Sequence, residues 1–509
     1  MYKLETERDQ LSQEERSIQE ASRRRAQAEL LSCWWQESPE TSESGVFIQN
    51  KSGAPVYHAH IVLFSSDGRS ELLKFQVGVL PPKADAEHFT VESPDGGGED
   101  GSDFFRVRLT FTDAKGVRWE RNQYGHLTDL SSEVLVQTDM SRASAINLFR
   151  DDFMNTYGVA VDFEEDVGSG AREKFIRDSL DGKLVPDAII APHDWIGSFA
   201  DHGVLESTTL SVKHRSLFPG WALDALTYKG GLYGLPTTLD AVALIRNKEL
   251  VPEVPTTVEE MITLGLALRD SGRVDEVLCL RIGDQGDPFQ IWPIFSSAGG
   301  RVLGRAPEAP WDRSQVLLDS EESVNALETI GRMGERGSGI LRRTMDAREA
   351  LGIFCNRRSA FLISTSDGLR HARRSGVPTV VSPVPPFAEG GSAVSLTLVH
   401  GLMMARRGRS KLIAHDLFSE HLAQASVMQT LSSAVVAPAA RNGINKGDTD
   451  LDVYQGLCKN GTMMPSFHDV HLMWSVLGEA QAAVVSGEPA RKVAVRAASR
   501  LRAYFSANQ

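Results

Sequence analysis

Hydrophobic and polar positions change their period twice along the chain. Over residues 3–28 the pattern is helical and mostly polar. Leu4, Leu11 and Ile18 recur every seven residues, but Arg25 holds the next place in that row. The complementary seam carries Glu7, Glu14, Ala21 and Ala28, so charge interrupts both rows. Residues 1–33 therefore read as a polar helix, either solvated or self-associating as a weak coiled coil. A stretch from Ser32 to Ser44, with Trp34, Trp35 and Pro39, breaks the pattern. From Gly45 the period becomes two. Phe105, Val107, Leu109 and Phe111 alternate with Arg106, Arg108, Thr110 and Thr112, which predicts a strand with one buried face. Residues 113–116 supply a turn and 117–119 resume the strand, while 46–49 and 56–64 form earlier runs around a turn at 50–53. Short strands separated by turns predict a small all-β sandwich over residues 45–131.

From Glu133 onward strands alternate with helices, which predicts α/β layering over residues 133–509. Residues 134–137, 159–163 and 187–191 read as strands. A helix between the first two carries Ile146, Phe149, Phe153 and Tyr157 on one face and stops at Gly158. Thr257 and Glu260 have capping-box spacing at a later helix start. The last helix begins near Pro489. It turns Val493, Ala497 and Leu501 inward and leaves Arg491, Lys492, Arg496 and Arg500 on a solvated face.

A length of 509 residues suits three or four compact units. Hydrophobic residues at 41% and charged residues at 24% fit a globular protein with sizeable cores. The net charge of −13 argues against nucleic acid or an anionic membrane as the main partner. Cys33, Cys279, Cys355 and Cys458 lie far apart and read as four reduced thiols. The first thirty residues lack the apolar run of a secretory signal, and no stretch is apolar enough to span a membrane. As written, the chain is expected to stay in the cytoplasm.

Signatures of catalysis are missing. Asp139, Asp194, Asp240 and Asp287 are potential paired acids, yet nothing fixes any two at the separation that glycoside cleavage needs. Neither a nucleophile elbow nor a phosphate-binding loop occurs. His58 and His60 lack a third metal ligand, and His468 with His471 has only Asp469 beside it. No enzyme activity, cofactor or metal is expected.

A series of local phrases resembles the maltose-binding-protein type of extracellular solute-binding protein, the ABC-importer receptors for sugars. They include Pro186-Asp-Ala-Ile-Ile-Ala-Pro-His-Asp194, Tyr228-Lys-Gly-Gly-Leu-Tyr-Gly-Leu-Pro236 and Ala243-Leu-Ile-Arg-Asn-Lys248 followed by Pro255-Thr-Thr-Val-Glu-Glu260. Asp287-Pro-Phe-Gln-Ile-Trp-Pro293, Ala350 to Ser364 and Met473-Trp474 continue the series in order. The resemblance implies a two-lobed, type II periplasmic-binding-protein-like fold after the helix and sandwich. It implies capture of a carbohydrate between the lobes for ABC-type import, with permease subunits as partners. The alternative is a cytoplasmic or membrane-tethered ligand sensor on the same fold. The family also implies an extracellular or membrane-associated setting, against the cytoplasmic reading.

Carried over position by position, the resemblance implies ligand contacts from Asp139, Asp194, Trp195, Asp240, Asp287, Phe289, Asp367 and Trp474. For each aspartate helix capping is an equal alternative, and for Trp474 core packing is. Several positions depart from the family: Ala191 replaces a stacking tryptophan, Ser475 an aromatic, and Gly478 a ligand-contacting arginine. Fewer aromatic platforms and more acids argue against maltodextrin itself.

Overall fold

The computed structural model describes residues 25–37, 44–66, 68, 71–83, 85–90, 105–114, 117–129, 134–150, 153, 160–165, 170–183, 185–306, 309–408, 414, 421–444 and 447–507. The coiled-coil reading of residues 3–24 falls outside them. The chain divides into two compact units, one of Met1–Leu135 with Phe149–Asp162, the other of Val136–Leu148 with Phe163–Gln509.

The first unit is built on β1 (Leu31–Glu37), β2 (Ser44–Asn50), β3 (Val56–Phe64), β4 (Glu71–Leu80), β5 (Glu87–Thr90), β6 (Arg106–Thr112), β7 (Arg118–Arg121) and β8 (Leu127–Asp129). They form two sheets, in the orders β1-β2-β5 and β4-β3-β6-β7-β8. The period-two signal explains the packing, since Val107, Leu109 and Phe111 are buried while their neighbours on β6 are not. The structure corrects one expectation here, because β1 runs straight through Trp34 and Trp35 where the pattern predicted a break. Adjacent residues on a strand face opposite ways. Trp35 is buried edge-on against Phe105, with ring centroids 4.8 Å apart, while Trp34 stacks on Phe47 at 5.8 Å. Two bulky side chains in sequence mark a strand with both faces used.

The chain continues with β9 (Val134–Thr138), β10 (Val161–Glu165), β11 (Ala188–Pro192) and β12 (Leu205–Glu206). A short hairpin, β13 (Thr227–Tyr228) and β14 (Gly231–Leu232), leads into β15 (Gly234–Asp240). Next come β16 (Ala243–Asn247), β17 (Cys279–Leu280) and a second hairpin of β18 (Leu303–Ala306) and β19 (Ala309–Val316). The last strands are β20 (Phe361–Ser364), β21 (Thr379–Ser382), β22 (Leu396–Ala405) and β23 (Thr462–Met463). One sheet has seven strands in the order β10-β9-β11-β22-β12, with β15 and β23 also paired to β22. The other has four, in the order β17-β20-β16-β21. The chain passes from the first sheet to the second at residues 241–242 and returns over 383–395.

The four-stranded sheet is buried on both faces. Leu244, Phe361 and Ile363 face one apolar cluster, while Ala243, Ile245 and Leu362 face another. Such strands read as unbroken apolar runs. Among the exceptions is Arg246, fully buried, whose Nη1 donates to the carbonyls of Val251, Pro252 and Glu253 at 2.7, 3.1 and 2.9 Å. It thereby fixes the approach to the helix Val258–Asp270. At that helix Thr257 Oγ1 accepts from Glu260 N–H, as the spacing predicts. Glu260, however, returns its carboxylate to Thr256 at 2.6 Å, one residue earlier than a capping box would have it.

The helix predicted around Ile146 spans Met140–Asn147, and Tyr157 and Gly158 lie outside the described residues. The closing helix Ala490–Ala507 buries Val493, Ala497 and Leu501 as expected. Its outer arginines are not merely solvated, since Arg491, Arg496 and Arg500 each pair with a glutamate. All four cysteines are free. No helix among the described residues is long and apolar enough to cross a membrane.

The helix Val470–Val485 approaches the turn before Pro288 too closely for any side chain. A Cβ on Gly478 would stand 2.3 Å from the Gln285 carbonyl, and one on Gly286 would stand 2.1 Å from the Gly478 carbonyl. Gly286 also has φ +73°, which favours glycine. This contact explains why no arginine occupies position 478. Gly478→Ala is expected to cost about 1–3 kcal/mol in urea unfolding, the scale of overpacking. Gly352→Ala, in a helix where the added Cβ meets nothing within 4 Å, should instead gain roughly 0.5–1 kcal/mol. Equal effects of the two substitutions would contradict the packing argument.

Candidate functional site

Strands β9 and β11 run parallel and end on the same side, and ligands bind outside the carboxyl ends of such strands. A cavity of about 450 Å³ lies there. The end of β9 contributes Asp139, with Ser141 and Arg142 from the helix Met140–Asn147. β11 and the turn after it contribute Ile190, Pro192 and Trp195, and β22 contributes His400. Across the cavity stand Asp240, at the end of β15, and Ser366, Asp367 and Arg370, from the helix Ser366–Arg374 that follows β20.

Two helix N-termini thus meet the cavity, and each carries an aspartate. Asp139 Oδ1 accepts from the backbone N–H groups of Ser141 and Arg142 at 3.0 and 3.1 Å. Its other oxygen accepts from the Arg142 guanidinium, which also donates to Thr238 Oγ1 at 3.0 Å. Burial works against ionisation, but the Arg142 charge and these hydrogen bonds together hold the Asp139 carboxyl below its ordinary range. Asp367 is paired in the same way with Arg370. Both pairs are Asp-x-x-Arg, with the arginine one turn along the helix from the acid. That repeated spacing was legible in the sequence and would have flagged Arg142 and Arg370.

Asp240 is placed differently. It is buried, and it accepts from Ala241 N–H at 2.9 Å and from the N–H and Oγ of Ser366, both at 3.0 Å. Burial outweighs these bonds and pushes its carboxyl up to about 6. A bulge in β15 between Pro236 and Thr238 sets this corner, because Thr237 Oγ1 turns back to the His400 carbonyl at 2.9 Å. Desolvation keeps His400 neutral, well below its ordinary value, with the charge of Arg142 adding to the effect. Nearby, Val436 has φ +53° between Val435 and Ala437, which both line the cavity. A β-branched residue in that region is strained, and such strain concentrates at functional sites.

The structure therefore gathers Asp139, Trp195, Asp240 and Asp367 around one cavity. Asp194 lies beside it, buried, its carboxyl raised to about 6 by desolvation against the pull of Arg172. Trp195 is half-buried and braced edge-on by Phe199, 5.8 Å away. The remaining three residues do not line this cavity. Asp287 caps the helix Pro288–Ser297 through Gln290 N–H and pairs with Arg281 at 3.0 Å. Phe289 and Trp474 pack against the core, Trp474 edge-on to Trp292 at 6.1 Å. For Asp139 and Asp287 capping is thus observed directly. His468 stacks on His202 at 4.8 Å and lies within 4 Å of both Asp201 and Asp469. Among the described residues no three His, Cys, Asp or Glu side chains gather to hold a metal.

Residues 149–447 match the family described as bacterial extracellular solute-binding protein. A maltotriose-binding protein of Pyrococcus abyssi is 28% identical over 217 residues, 40% of this chain and 43% of that protein. A galactooligosaccharide-binding protein of Bacillus subtilis is 22% identical over 245 residues, 46% of this chain and 55% of that protein. The chain spans about half the length of these curated relatives. In structure, the chain resembles the Thermus thermophilus maltotriose binding protein bound with maltotriose, with a TM-score of 0.67 and 22% identity. That match takes in 73% of this chain and all of the other. The family description is extracellular, which leaves the expectation of a cytoplasmic chain without support.

The buried acid of the cavity has a measurable signature. A carboxyl raised in the folded state stabilises fully below its ordinary value of 3.8 and loses that contribution as pH rises through 6. Asp240→Asn removes the loss. Its stability relative to the native chain is expected to be about 1–1.5 kcal/mol more favourable at pH 8 than at pH 5. Urea unfolding at the two pH values measures this, and an equal difference at both would mean that Asp240 is not desolvated.

Proposed function

The chain belongs to the bacterial extracellular solute-binding proteins, and from that membership we propose that its cavity captures a short, uncharged carbohydrate. The carrying observation is the pair of Asp-x-x-Arg units facing one cavity beside Trp195. A sugar hydroxyl both donates and accepts, and an aspartate next to an arginine offers an acceptor and a donor side by side. The indole face suits the C–H side of a sugar ring. Because each arginine is already matched by an acid, the described residues offer the cavity no unbalanced cation for an anionic ligand. The volume lies within the usual range for small-molecule sites. The names of the relatives, for maltotriose and galactooligosaccharide, support the same ligand class. Binding without turnover and delivery to an ABC importer complete the reading.

A second reading, ligand sensing, is favoured by one observation: strands β1–β8 lie outside the matched residues 149–447. Hydrogen exchange with and without sugar separates the two. Protection changing in β1–β8 supports sensing, and protection changing only around the cavity supports capture alone.

Maltotriose serves as the first probe in calorimetry. Trp195→Ala is expected to weaken it by roughly 1–3 kcal/mol, the scale of a lost aromatic contact, and the sugar should be recovered uncleaved. Affinity should also fall as pH drops through about 6, where Asp240 takes up a proton and becomes a poorer hydroxyl acceptor. Asp240→Asn should abolish that step. If the step survives, it belongs to Asp194 and Asp240 is no ligand contact. Unchanged affinity in Trp195→Ala would place the sugar elsewhere.

A further inference from the structure

A second cavity, of about 400 Å³, opens between the helix Pro288–Ser297, the β18–β19 hairpin and β23. It shares no lining residue with the first. Trp292 and Trp311 form its corner, with ring centroids 5.7 Å apart and planes inclined at 57°. The Trp311 ring is fixed, because its Nε1–H donates to the Met463 carbonyl at 2.7 Å. Arg301 and Arg305 also line the cavity, with the hydroxyls of Ser392 and Thr462. Arg305 spends one N–H on Thr462 Oγ1, at 3.0 Å. Neither guanidinium has a carboxylate within ion-pair distance among the described residues, in contrast to Arg142 and Arg370 of the first cavity, although the charge of Arg301 is felt at longer range by Glu322.

We infer that this cavity is a second ligand site, which takes a sugar ring carrying a negatively charged group. A guanidinium fork matches the oxygens of a carboxylate, sulfate or phosphate in pairs. The indole corner covers the C–H side of a ring, and the two hydroxyls serve its own hydroxyl groups. Neutral sugars would use only half of these contacts. The β18–β19 ladder supports a built arrangement, since register shifts around Gly304 bracket the stretch from Leu303 to Arg305, and both of those residues line the cavity. The inference does not depend on what occupies the first cavity.

The test uses the full chain with glucuronate, glucose 6-sulfate, glucose 6-phosphate and glucose as probes, read by calorimetry and tryptophan fluorescence. At least one charged probe is expected to bind where glucose does not, and which one identifies the anion. The double variant Arg301→Gln/Arg305→Gln should weaken that probe by about ten- to a hundredfold. It should leave maltotriose binding as it was. Trp311→Phe should weaken the charged probe less and reduce its fluorescence response. The inference is overturned if no charged sugar binds better than glucose, or if the double variant binds it unchanged. It is equally overturned if Trp195→Ala removes the charged probe, since the anion then sits in the first cavity.

Discussion

Strand β22 is hydrogen-bonded along its length to β11 and β15, and at its ends to β12 and β23. One imidazole adds a tie to it from outside the ladder. His193 is fully buried; its Nδ1 accepts from Val399 N–H at 3.1 Å, so its Nε2 carries the proton and donates to the Met464 carbonyl at 3.1 Å. The ring ties the turn after β11 to the middle of β22 and to the chain just beyond β23. Both nitrogens are committed, and burial lowers the imidazole to about 4, so the tie persists only while the ring stays neutral. Asp139, Trp195, Asp240 and His400 all descend from strands of this sheet or from the turn after β11. A one-residue slip in β22 would turn His400 away from the cavity and carry a neighbour into it.

That dependence explains which features could be read from the sequence. Period two located β3 and β6, and period 3.6 located the closing helix, because each element buries one face. The seven-stranded sheet left fainter marks. β22 reads Leu-Thr-Leu-Val-His-Gly-Leu-Met-Met-Ala, a run without alternation, since it is paired along both edges and mostly buried on both faces. The family phrases placed Asp139, Trp195, Asp240 and Asp367 at the cavity without any periodicity argument. They said nothing of Arg142 and Arg370, which the Asp-x-x-Arg spacing alone would have flagged, or of His400, whose place depends on elements that face it from elsewhere in the chain. Asp287, Phe289 and Trp474 do not line this cavity. Their motif is present, but capping and core contacts occupy the same side chains, and a linear motif does not distinguish a residue's partners.

The first cavity is expensive in stability. Thr138 Oγ1, Arg142 Nε, Asp194 Oδ1 and His400 Nδ1 are buried without a hydrogen-bond partner among the described residues. An unmet buried polar group costs about 1–3 kcal/mol, and folded chains carry few of them. Here they cluster next to two aspartates raised to about 6 by desolvation and a valine held at φ +53°. Two of these atoms, on Arg142 and His400, belong to side chains that line the cavity, and a polar ligand offers them partners.

The two cavities solve the charge problem in different ways, and dielectric accounts for the difference. Arg142 and Arg370 have side chains only 12% exposed, so an unpaired guanidinium there would bear a large desolvation cost. Each therefore keeps its own aspartate one helical turn away. A ligand entering that space meets matched pairs and must be nearly neutral to displace water without leaving a charge uncompensated. Arg301 and Arg305 stand at an exposed rim, where water screens them and neither needs an acid in direct contact, Glu322 acting on Arg301 only at longer range. Their charge stays available to an incoming anion, at the price of sensitivity to salt. The proposed sugar site is therefore matched in charge, and the proposed rim site is not.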